Sequence, residues 1–377
     1  MKHYDVLIVG GGPSGSTCAK HLVRAGMRVA IIDKSDFPRD KICAGWVTPA
    51  VLDVLEFDKD DYQREHTFQP IRSFETSQIG RAAVRTTYGD EVSYGIRRVE
   101  FDNYLLQRCG ADVHTGHNVK SIEYVDRAWR INDSFTAPML VGAGGHFCPI
   151  ARHLGAKLGS SETIVAAHEI EFEMTSAQTQ DCAVAQDTPE LFFCEDLQGY
   201  GWVFRKHNVL NIGLGREDNR SIGAHVDRFR EYLIERGRIP KDTPKKFKGH
   251  AYILHNRSKR QCFGDAVMLA GDAIGLAYTQ SGEGIRPAIE SALMVAQRIL
   301  DVDGDYRASR LAGLETDLSA RFGTRGTDEQ SAAWMPQPIR HAVAGRLLTT
   351  KWFARNVVLD RWFLHASTPT LELAASQ

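Results

Sequence analysis

The chain opens with two short apolar runs on either side of an amphipathic segment. Residues 4–33 read YDVLIVGGGPSGSTCAKHLVRAGMRVAIID. The apolar runs have the length of buried strands, and the segment between them has helical spacing, so the pattern predicts strand, helix and strand. Three glycines lie where the first strand meets the helix, which is typical of a βαβ unit with a tight first turn.

A second junction of this kind lies near residue 270. The apolar run AVMLA at 266–270 predicts another buried strand, which ends at Gly271 and Asp272. Gly282, Glu283 and Gly284 then open a segment with helical spacing, and we expect the helix to begin at about Glu283. A lone carboxylate at the end of a buried strand, followed by a glycine-led helix, needs a chemical reason.

The other patterns divide the chain. Residues 96–106 predict a helix and residues 112–145 alternate as strands, whereas residues 161–257 alternate as an antiparallel sheet to which residues 66–95 add strands. The composition of the end of the chain is helical. We therefore predict an interrupted first domain with a second domain inserted and a helical C-terminal region. The first domain comprises residues 1–65, 96–160 and 258–300. The inserted domain comprises residues 66–95 and 161–257, and the C-terminal region residues 301–377.

Composition narrows the classes of partner. The chain has 377 residues and a net charge of -1, so no overall field attracts nucleic acid. Its seven cysteines are scattered without a CxxC pair, which excludes a typical zinc site and indicates reduced thiols. We find no signal peptide and no apolar run of membrane-spanning length, and therefore expect a cytoplasmic protein.

The segment RLLTTKWFARNVVLDRWFLHA near the C-terminus is rich in aromatic and basic residues. It leaves peripheral membrane contact, or a lid over a lipid tunnel, open as alternatives. We favour a helical cap packed on the core, because the basic residues are not gathered on one face.

The glycine turn near the N-terminus has the chemistry of a dinucleotide site. Gly10 permits the tight turn, Gly12 lets the backbone approach a pyrophosphate, and Gly15 lets helix and strand pack closely. The helix N-terminus then faces the phosphates. Asp33 ends the second strand, where its carboxylate accepts hydrogen bonds from both ribose hydroxyls and disfavours a 2′-phosphate. FAD and NAD both fit this unit, and NADP does not.

The second junction distinguishes FAD from NAD as the bound nucleotide. FAD is long enough to need a second site, and Asp272 can accept a hydrogen bond from its ribityl chain. Gly282 and Gly284 let the backbone approach the isoalloxazine ring. The positive end of the following helix favours the negative charge that develops on reduction. One FAD molecule therefore explains both junctions.

These pieces together resemble the geranylgeranyl reductase family, a branch of the flavoprotein monooxygenase-like fold. The matching stretches span about residues 4 to 300. They are GGGPSG at 10–15, FPRDKICAGW at 37–46, RRVEFDNYL at 97–105, VGAGGHFCPIAR at 141–152, GYGWVFRKHNVLNIGLG at 199–215 and GEGI at 282–285. The chain departs from the family pattern at Ala44, Arg205 and Thr279. These departures bear on the substrate more than on the cofactor.

The resemblance implies an α/β fold. It would have a Rossmann-like FAD-binding domain of the glutathione-reductase or p-hydroxybenzoate-hydroxylase type, an inserted antiparallel substrate domain and a helical C-terminal region. Ser14 and Lys34 also belong to the expected cofactor-binding set. The resemblance itself implies flavin contacts for a further group of residues, of which Asp272 and Gly284 are predicted above as well. They are Cys43, Ala44, Arg98, the backbone near Val119, Asp272, Gly284 and Ile285.

Several side chains are candidates for the reaction. Cys43 is a candidate catalytic residue as proton donor or flavin tuner, or else a small thiol packed against the ring. Tyr200 and Trp202 alternate on one strand face and either shape an apolar substrate channel or belong to the sheet core. Arg39 and Lys41 could pair with a phosphate, although we favour a solvated charge run.

The function expected from these residues is FAD-dependent reduction of carbon–carbon double bonds in an isoprenoid or similarly apolar substrate. The alternative is an FAD monooxygenase acting on an aromatic or polyketide-like compound; a halogenase, or an electron relay without catalysis, ranks lower. No second GxGxxG motif occurs, so electrons come from transiently bound NAD(P)H or another electron carrier. The oligomeric state stays open.

Overall fold

The computed structural model describes residues 1–157, 162–218, 221–326 and 337–372. The strands in chain order are β1 (Lys2–His3), β2 (Val6–Val9), β3 (Val29–Ile32), β4 (Trp46–Val47), β5 (Phe68–Ile71), β6 (Ser73–Gln78), β7 (Val84–Thr87), β8 (Ser93–Ile96), β9 (Asp112–His114), β10 (Ile122–Val125), β11 (Ala128–Ile131), β12 (Phe135–Ala137), β13 (Met139–Gly142), β14 (Val165–Glu173), β15 (Glu190–Phe193), β16 (Gly199–Lys206), β17 (Val209–Arg216), β18 (Lys248–Tyr252), β19 (Phe263–Gly264) and β20 (Val267–Leu269).

The α-helices are α1 (Pro13–Arg24), α2 (Pro49–Leu55), α3 (Lys59–Gln63), α4 (Arg98–Gln107), α5 (Pro149–His153), α6 (Ser176–Asp181), α7 (Ile222–Glu235), α8 (Ile285–Asp301), α9 (Ala308–Leu311), α10 (Gly313–Phe322), α11 (Gln337–Leu347) and α12 (Lys351–Phe353). Short 3₁₀ turns lie at His255–Arg257 and Gly271–Ala273, and a π-helix at Ala354–Phe363 follows α12.

A six-stranded sheet with the order β19-β20-β13-β2-β3-β9 carries both glycine junctions. Its strands are parallel except β19, which pairs antiparallel with β20. β2 and β3 are apolar at every position and fully buried, as expected for parallel strands covered on both faces. Helices α1 and α8 follow β2 and β20, and both begin at the carboxyl edge of the sheet, where ligands of parallel sheets bind.

A seven-stranded sheet with the order β18-β14-β17-β16-β15-β6-β7 faces that edge. All its pairs are antiparallel except β15 with β6. Strands β6 and β7 come from the 66–95 segment, whereas β5 and β8 pair with each other in a three-stranded sheet with β4. A four-stranded sheet, β1-β12-β11-β10, completes the sheets of the described residues. The boundary predicted at 160/161 lies outside the residues described.

The β-rich prediction for residues 161–257 missed helix α7. Its buried residues Val226, Phe229 and Leu233 recur at helical spacing and cover one face of the seven-stranded sheet. Gly201 on β16 allows this approach, because a Cβ there would lie 2.5 Å from the Phe229 ring. Helix α7 therefore covers one face of the sheet.

The C-terminal segment packs on the other face of the sheet. Val358, Leu359 and Phe363 of the π-helix are buried against aromatic side chains of the sheets. The rings of Phe363 and Trp46 stack with their centroids 5.7 Å apart. The segment thus packs on the core as a cap, with Trp352 exposed on its surface. Part of the predicted region, 327–336 and 373–377, lies outside the described residues. Among the helices described, none combines the length and apolarity needed to cross a membrane.

We predict that Phe229→Ala lowers the free energy of unfolding by about 3–5 kcal/mol, because it removes a buried ring from the contact between α7 and the sheet. Urea unfolding followed by circular dichroism measures the change. Glu231→Ala, on the exposed face of the same helix, is the matched control and should change the stability by no more than about 0.5 kcal/mol. Equal effects of the two substitutions would contradict the packing of α7 on the sheet.

Candidate active site

One cavity of about 380 Å³ runs from the glycine turn of α1 to the start of α8. It continues along the face of the seven-stranded sheet that is opposite α7. Its size is that of a typical small-molecule site. At one end it is lined by Gly10, Gly12 and Asp33, and at the other by Gly282, Gly284 and Ile285. The two predicted junctions therefore open into the same cavity.

The glycine turn has the geometry that a pyrophosphate site needs. Gly10 has φ +114°, and a Cβ there would lie 2.4 Å from the carbonyl oxygen of Ala143. At Gly15 a Cβ would lie 1.8 Å from the Gly10 carbonyl oxygen, so only glycine lets α1 pack this closely. Gly12 is the N-cap of α1, and no side chain of the described residues caps it. The N–H groups of this first turn are therefore available to a phosphate.

Asp33 is fixed by the same turn. Its Oδ2 accepts a hydrogen bond from the Gly11 N–H at 2.7 Å, and its Oδ1 accepts one from the Ser35 N–H at 2.8 Å. The carboxylate lines the cavity and is 9% exposed. Each oxygen keeps a second lone pair, so the group can also accept hydrogen bonds from two ribose hydroxyls.

The start of α8 forms the other end. Gly282 has φ +69°, and a Cβ there would lie 2.4 Å from the hydroxyl oxygen of Tyr252. At Gly284 a Cβ would lie 3.3 Å from Oδ1 of Asp272, which lines the cavity beside it. The predicted start at Glu283 is two residues early, since α8 begins at Ile285. The Glu283 side chain accepts a hydrogen bond from the Arg286 N–H at 2.7 Å and so supports the first turn.

A buried ion-pair cluster positions Arg98 at the cavity. Arg98 donates from Nε and Nη2 to the two oxygens of Asp102, both at 2.7 Å. Nη1 of Arg39 lies 3.1 Å from the same carboxylate, which is fully buried. Both arginines line the cavity. The cluster therefore keeps two guanidinium groups near the predicted pyrophosphate position.

The remaining predicted residues fall into two groups. Ser14, Lys34, Cys43 and Ala44 line the cavity, and Ser14 Oγ donates to the Ala288 carbonyl at 2.8 Å. Gly15 and Val119 do not line it. Gly15 serves the packing of α1, and Val119 packs, partly buried, against the core of the six-stranded sheet.

Lys41 is not part of a solvated charge run. It is partly buried in the cavity wall, and its Nζ lies 2.7 Å from Nε2 of His250. Burial lowers the pKa of Lys41, while Asp272 opposes this shift. Burial, together with Lys41, lowers the pKa of His250 to about 2. The imidazole is therefore neutral and accepts a hydrogen bond from the ammonium group.

Aromatic side chains enclose the part of the cavity next to α8, which we call the aromatic compartment. It is formed by Tyr200, Trp202, Phe204 and Phe363, together with Trp46. Tyr200 donates its hydroxyl to the Ser281 carbonyl at 2.5 Å, and the Trp202 indole N–H donates to Oδ1 of Asn211 at 2.8 Å. Gly213 lets the indole lie across β17, because a Cβ there would lie 2.1 Å from the ring. The apolar lining also includes Leu191.

This donor set fits FAD. The free N–H groups of α1, the Asp33 carboxylate and the two guanidinium groups suit the adenosine and pyrophosphate, and Asp272 with the α8 N-terminus suits the ribityl chain and ring. When bound and reduced, FAD supplies a hydride. Sequence reasoning missed His250 and Glu169 as lining residues, and it favoured the wrong alternative for Lys41. Their positions depend on strand register and loop conformation, which no local motif specifies.

Comparison with known proteins agrees with this fit. Residues 3–313 match the family model described as FAD binding domain. A digeranylgeranylglycerophospholipid reductase from Methanocaldococcus jannaschii is 24% identical over 313 residues, covering 78% of this chain and 76% of the relative.

Two solved structures share the fold. A geranylgeranyl bacteriochlorophyll reductase-like protein from Thermoplasma acidophilum has a TM-score of 0.72 at 23% identity, covering 92% of this chain and 88% of the other. A probable FAD-dependent monooxygenase from Pseudomonas aeruginosa has a TM-score of 0.67 at 17% identity, covering 92% and 100%. The predicted fold class and FAD cofactor are confirmed, as is the resemblance to the geranylgeranyl reductases. The chain belongs to the FAD binding domain family, is an FAD-dependent oxidoreductase, and resembles geranylgeranyl reductases.

Proposed function

We propose that this protein reduces carbon–carbon double bonds in an isoprenoid or similarly apolar chain. The observation that carries the proposal is the aromatic compartment beside Gly284 and Ile285, where the flavin ring is expected. An apolar chain gains about 25 cal/mol per Å² of surface that it buries in such a compartment. The names of the reductase relatives support a prenyl substrate for this chain.

The residues of the compartment have separate tasks. Trp202 is held in one orientation by its hydrogen bond to Asn211, and Tyr200 by its bond to Ser281. Both therefore present fixed ring surfaces along which a substrate chain can align with the flavin. Phe363, from the C-terminal π-helix, closes the compartment and excludes water. Cys43 lies at the ring end and stays a candidate for tuning the flavin.

The electron donor is a separate part of the proposal. The sequence holds one GxGxxG motif, which the FAD site uses. We therefore propose that the flavin is reduced by NAD(P)H bound only transiently, or by another electron carrier.

We expect Gly12→Ala to weaken FAD binding by about tenfold or more, since the added methyl group would lie 3.2 Å from Nη2 of Arg39 and displace that guanidinium group beside the expected pyrophosphate position. Gly12 has φ -73°, which alanine adopts without strain, so the fold should persist. Fluorescence titration of the apoprotein with FAD measures the dissociation constant. The control is Gly89→Ala, whose added methyl group meets no atom within 4 Å. Unchanged affinity in Gly12→Ala would argue against a pyrophosphate at the turn.

The proposed reaction predicts a specific product. Holoprotein reduced anaerobically with dithionite should be reoxidised rapidly by a geranylgeranyl compound, and mass spectrometry should show two added hydrogens for each double bond reduced. Stopped-flow absorption of the flavin gives the rate. Slow reaction with the prenyl compound, but fast reoxidation by air with an oxygen atom added to an aromatic substrate, would instead support the monooxygenase alternative.

A further inference from the structure

Alkene reduction needs a proton as well as a hydride, and the sheet face above the flavin position carries an acid suited to supply it. Glu169 lies on β14 between Ala167 and Glu171. Because every second residue of a strand points to the same side, all three side chains lie on the cavity face of the sheet. It lines the cavity and is 5% exposed. Among the cavity-lining carboxyl groups it belongs to the substrate sheet rather than to the cofactor junctions.

The two carboxyl oxygens of Glu169 differ in their surroundings. Oε1 accepts a hydrogen bond from Nδ2 of Asn211 at 3.1 Å. Oε2 is buried and has no hydrogen-bond partner among the residues that the structure describes. Burying a charged carboxylate oxygen that has no hydrogen-bond donor costs free energy. A protonated carboxyl group avoids this cost because it is neutral, and it holds a proton that it can donate.

Burial keeps the proton on Glu169, and no nearby cation is free to remove it among the residues that the structure describes. Burial, opposed in part by Lys206 and assisted by Glu171 and Asp40, raises the pKa of Glu169 to about 8. Lys206 makes its hydrogen bonds to other groups, because its Nζ donates to Oε2 of Glu171 at 2.7 Å and to the Ile96 carbonyl at 2.8 Å. Lys248, opposite Glu169 on β18, is paired with Asp40. His250, two residues further on β18, is neutral.

Asn211 connects this acid to the rest of the site. Its Nδ2 also lies 3.2 Å from the carbonyl oxygen of Cys43 and 3.1 Å from Oε2 of Glu171, while its Oδ1 accepts from Trp202. The Glu169 carboxyl is therefore one amide group away from both the predicted ring contact at Cys43 and the substrate-facing indole. Glu283, a second buried carboxyl in the cavity, is engaged with the first turn of α8.

We infer that Glu169 is the general acid of the reaction and donates its carboxyl proton to the substrate alkene. The inference rests on the proposed reductase function. The alkene accepts a hydride from the reduced flavin at one carbon and this proton at the neighbouring carbon. The π bond is thereby replaced by two C–H bonds, the flavin returns to its oxidised form, and solvent reprotonates the Glu169 carboxylate.

The test compares wild type, Glu169→Gln and Glu190→Gln as FAD-loaded proteins. Glutamine keeps the shape and the bond to Asn211 but cannot give up a proton. Glu190 is a matched control, since it is equally buried in the same sheet but is paired with Arg238 and does not line the cavity. After dithionite reduction, reoxidation by a geranylgeranyl compound should be roughly 10²–10⁴-fold slower in Glu169→Gln and about as fast as wild type in Glu190→Gln.

The pH dependence separates an acid from a structural residue. A general acid acts when protonated, so the wild-type rate should be constant at low pH and fall above about pH 8, and the small residual rate of Glu169→Gln should show no such step. If Cys43→Ala abolishes the reaction and Glu169→Gln does not, the thiol is the donor and the inference is wrong.

Two measurements do not depend on turnover. The infrared difference spectrum of wild type minus Glu169→Gln should show the carbonyl band of a buried carboxylic acid at pH 7 and lose it above about pH 8. The subtraction separates Glu169 from Glu283, whose pKa burial raises to about 7. Because the folded pKa exceeds the unfolded value of about 4.3, wild type should lose stability relative to Glu169→Gln as the pH rises from about 5 to 8, which urea midpoints measure.

Absence of the band and of this trend would overturn the inference whatever the activity. If these two measurements give the expected result but no prenyl compound reoxidises the wild-type flavin, the reductase function is rejected. The proton of Glu169 then has no alkene to go to, and its role as acid in alkene reduction is rejected as well.

Discussion

The contact between helices α1 and α8 fixes the distance between the two ends of the cofactor site. Ser14 Oγ on α1 donates to the Ala288 carbonyl on α8, and the Gly271 N–H donates to Ser291 Oγ on α8 at 3.0 Å. A Cβ at Gly271 would lie 3.0 Å from Ser14 Oγ, so the strand end, the first helix and the second helix meet without space for a side chain. Both helix N-termini consequently open into one cavity, and a ligand long enough for both is held at two points.

Local sequence was sufficient where the chemistry is local. The close packing at Gly10 and Gly15 and the position of Asp33 at the turn could be predicted from one stretch of chain, because a single turn and the strands beside it set them. The same holds for Asp272 and Gly282 at the second junction. The helix at Arg98–Gln107 was also predicted from its pattern.

The rest depends on contacts between distant segments. Residues 169–173 read EIEFE, an alternation that looks like an ordinary strand with one solvated face. Only the pairing with β17 brings Asn211 to within hydrogen-bond distance of Glu169. Helix α7 lies within a β-rich region, so its spacing was overlooked. Lys41 follows Arg39 and Asp40 in sequence and was therefore interpreted as solvated, although the loop turns it inward toward His250.

On the cavity face of β14, two neighbouring carboxyl groups lie near one buried ammonium group. Glu171 and Glu169 occupy successive inward positions of β14, and the buried ammonium group nearest to them, that of Lys206, bonds to Glu171. Burial alone would raise the pKa of Glu171, but Lys206 and Arg97 hold it below its ordinary value. Glu169 is left without a cation in contact, so the least costly state is the neutral acid. The same burial that makes the aromatic compartment suitable for an apolar chain therefore keeps a proton beside it. Adding a basic side chain near Asn211 would remove that proton by favouring the ionised carboxylate.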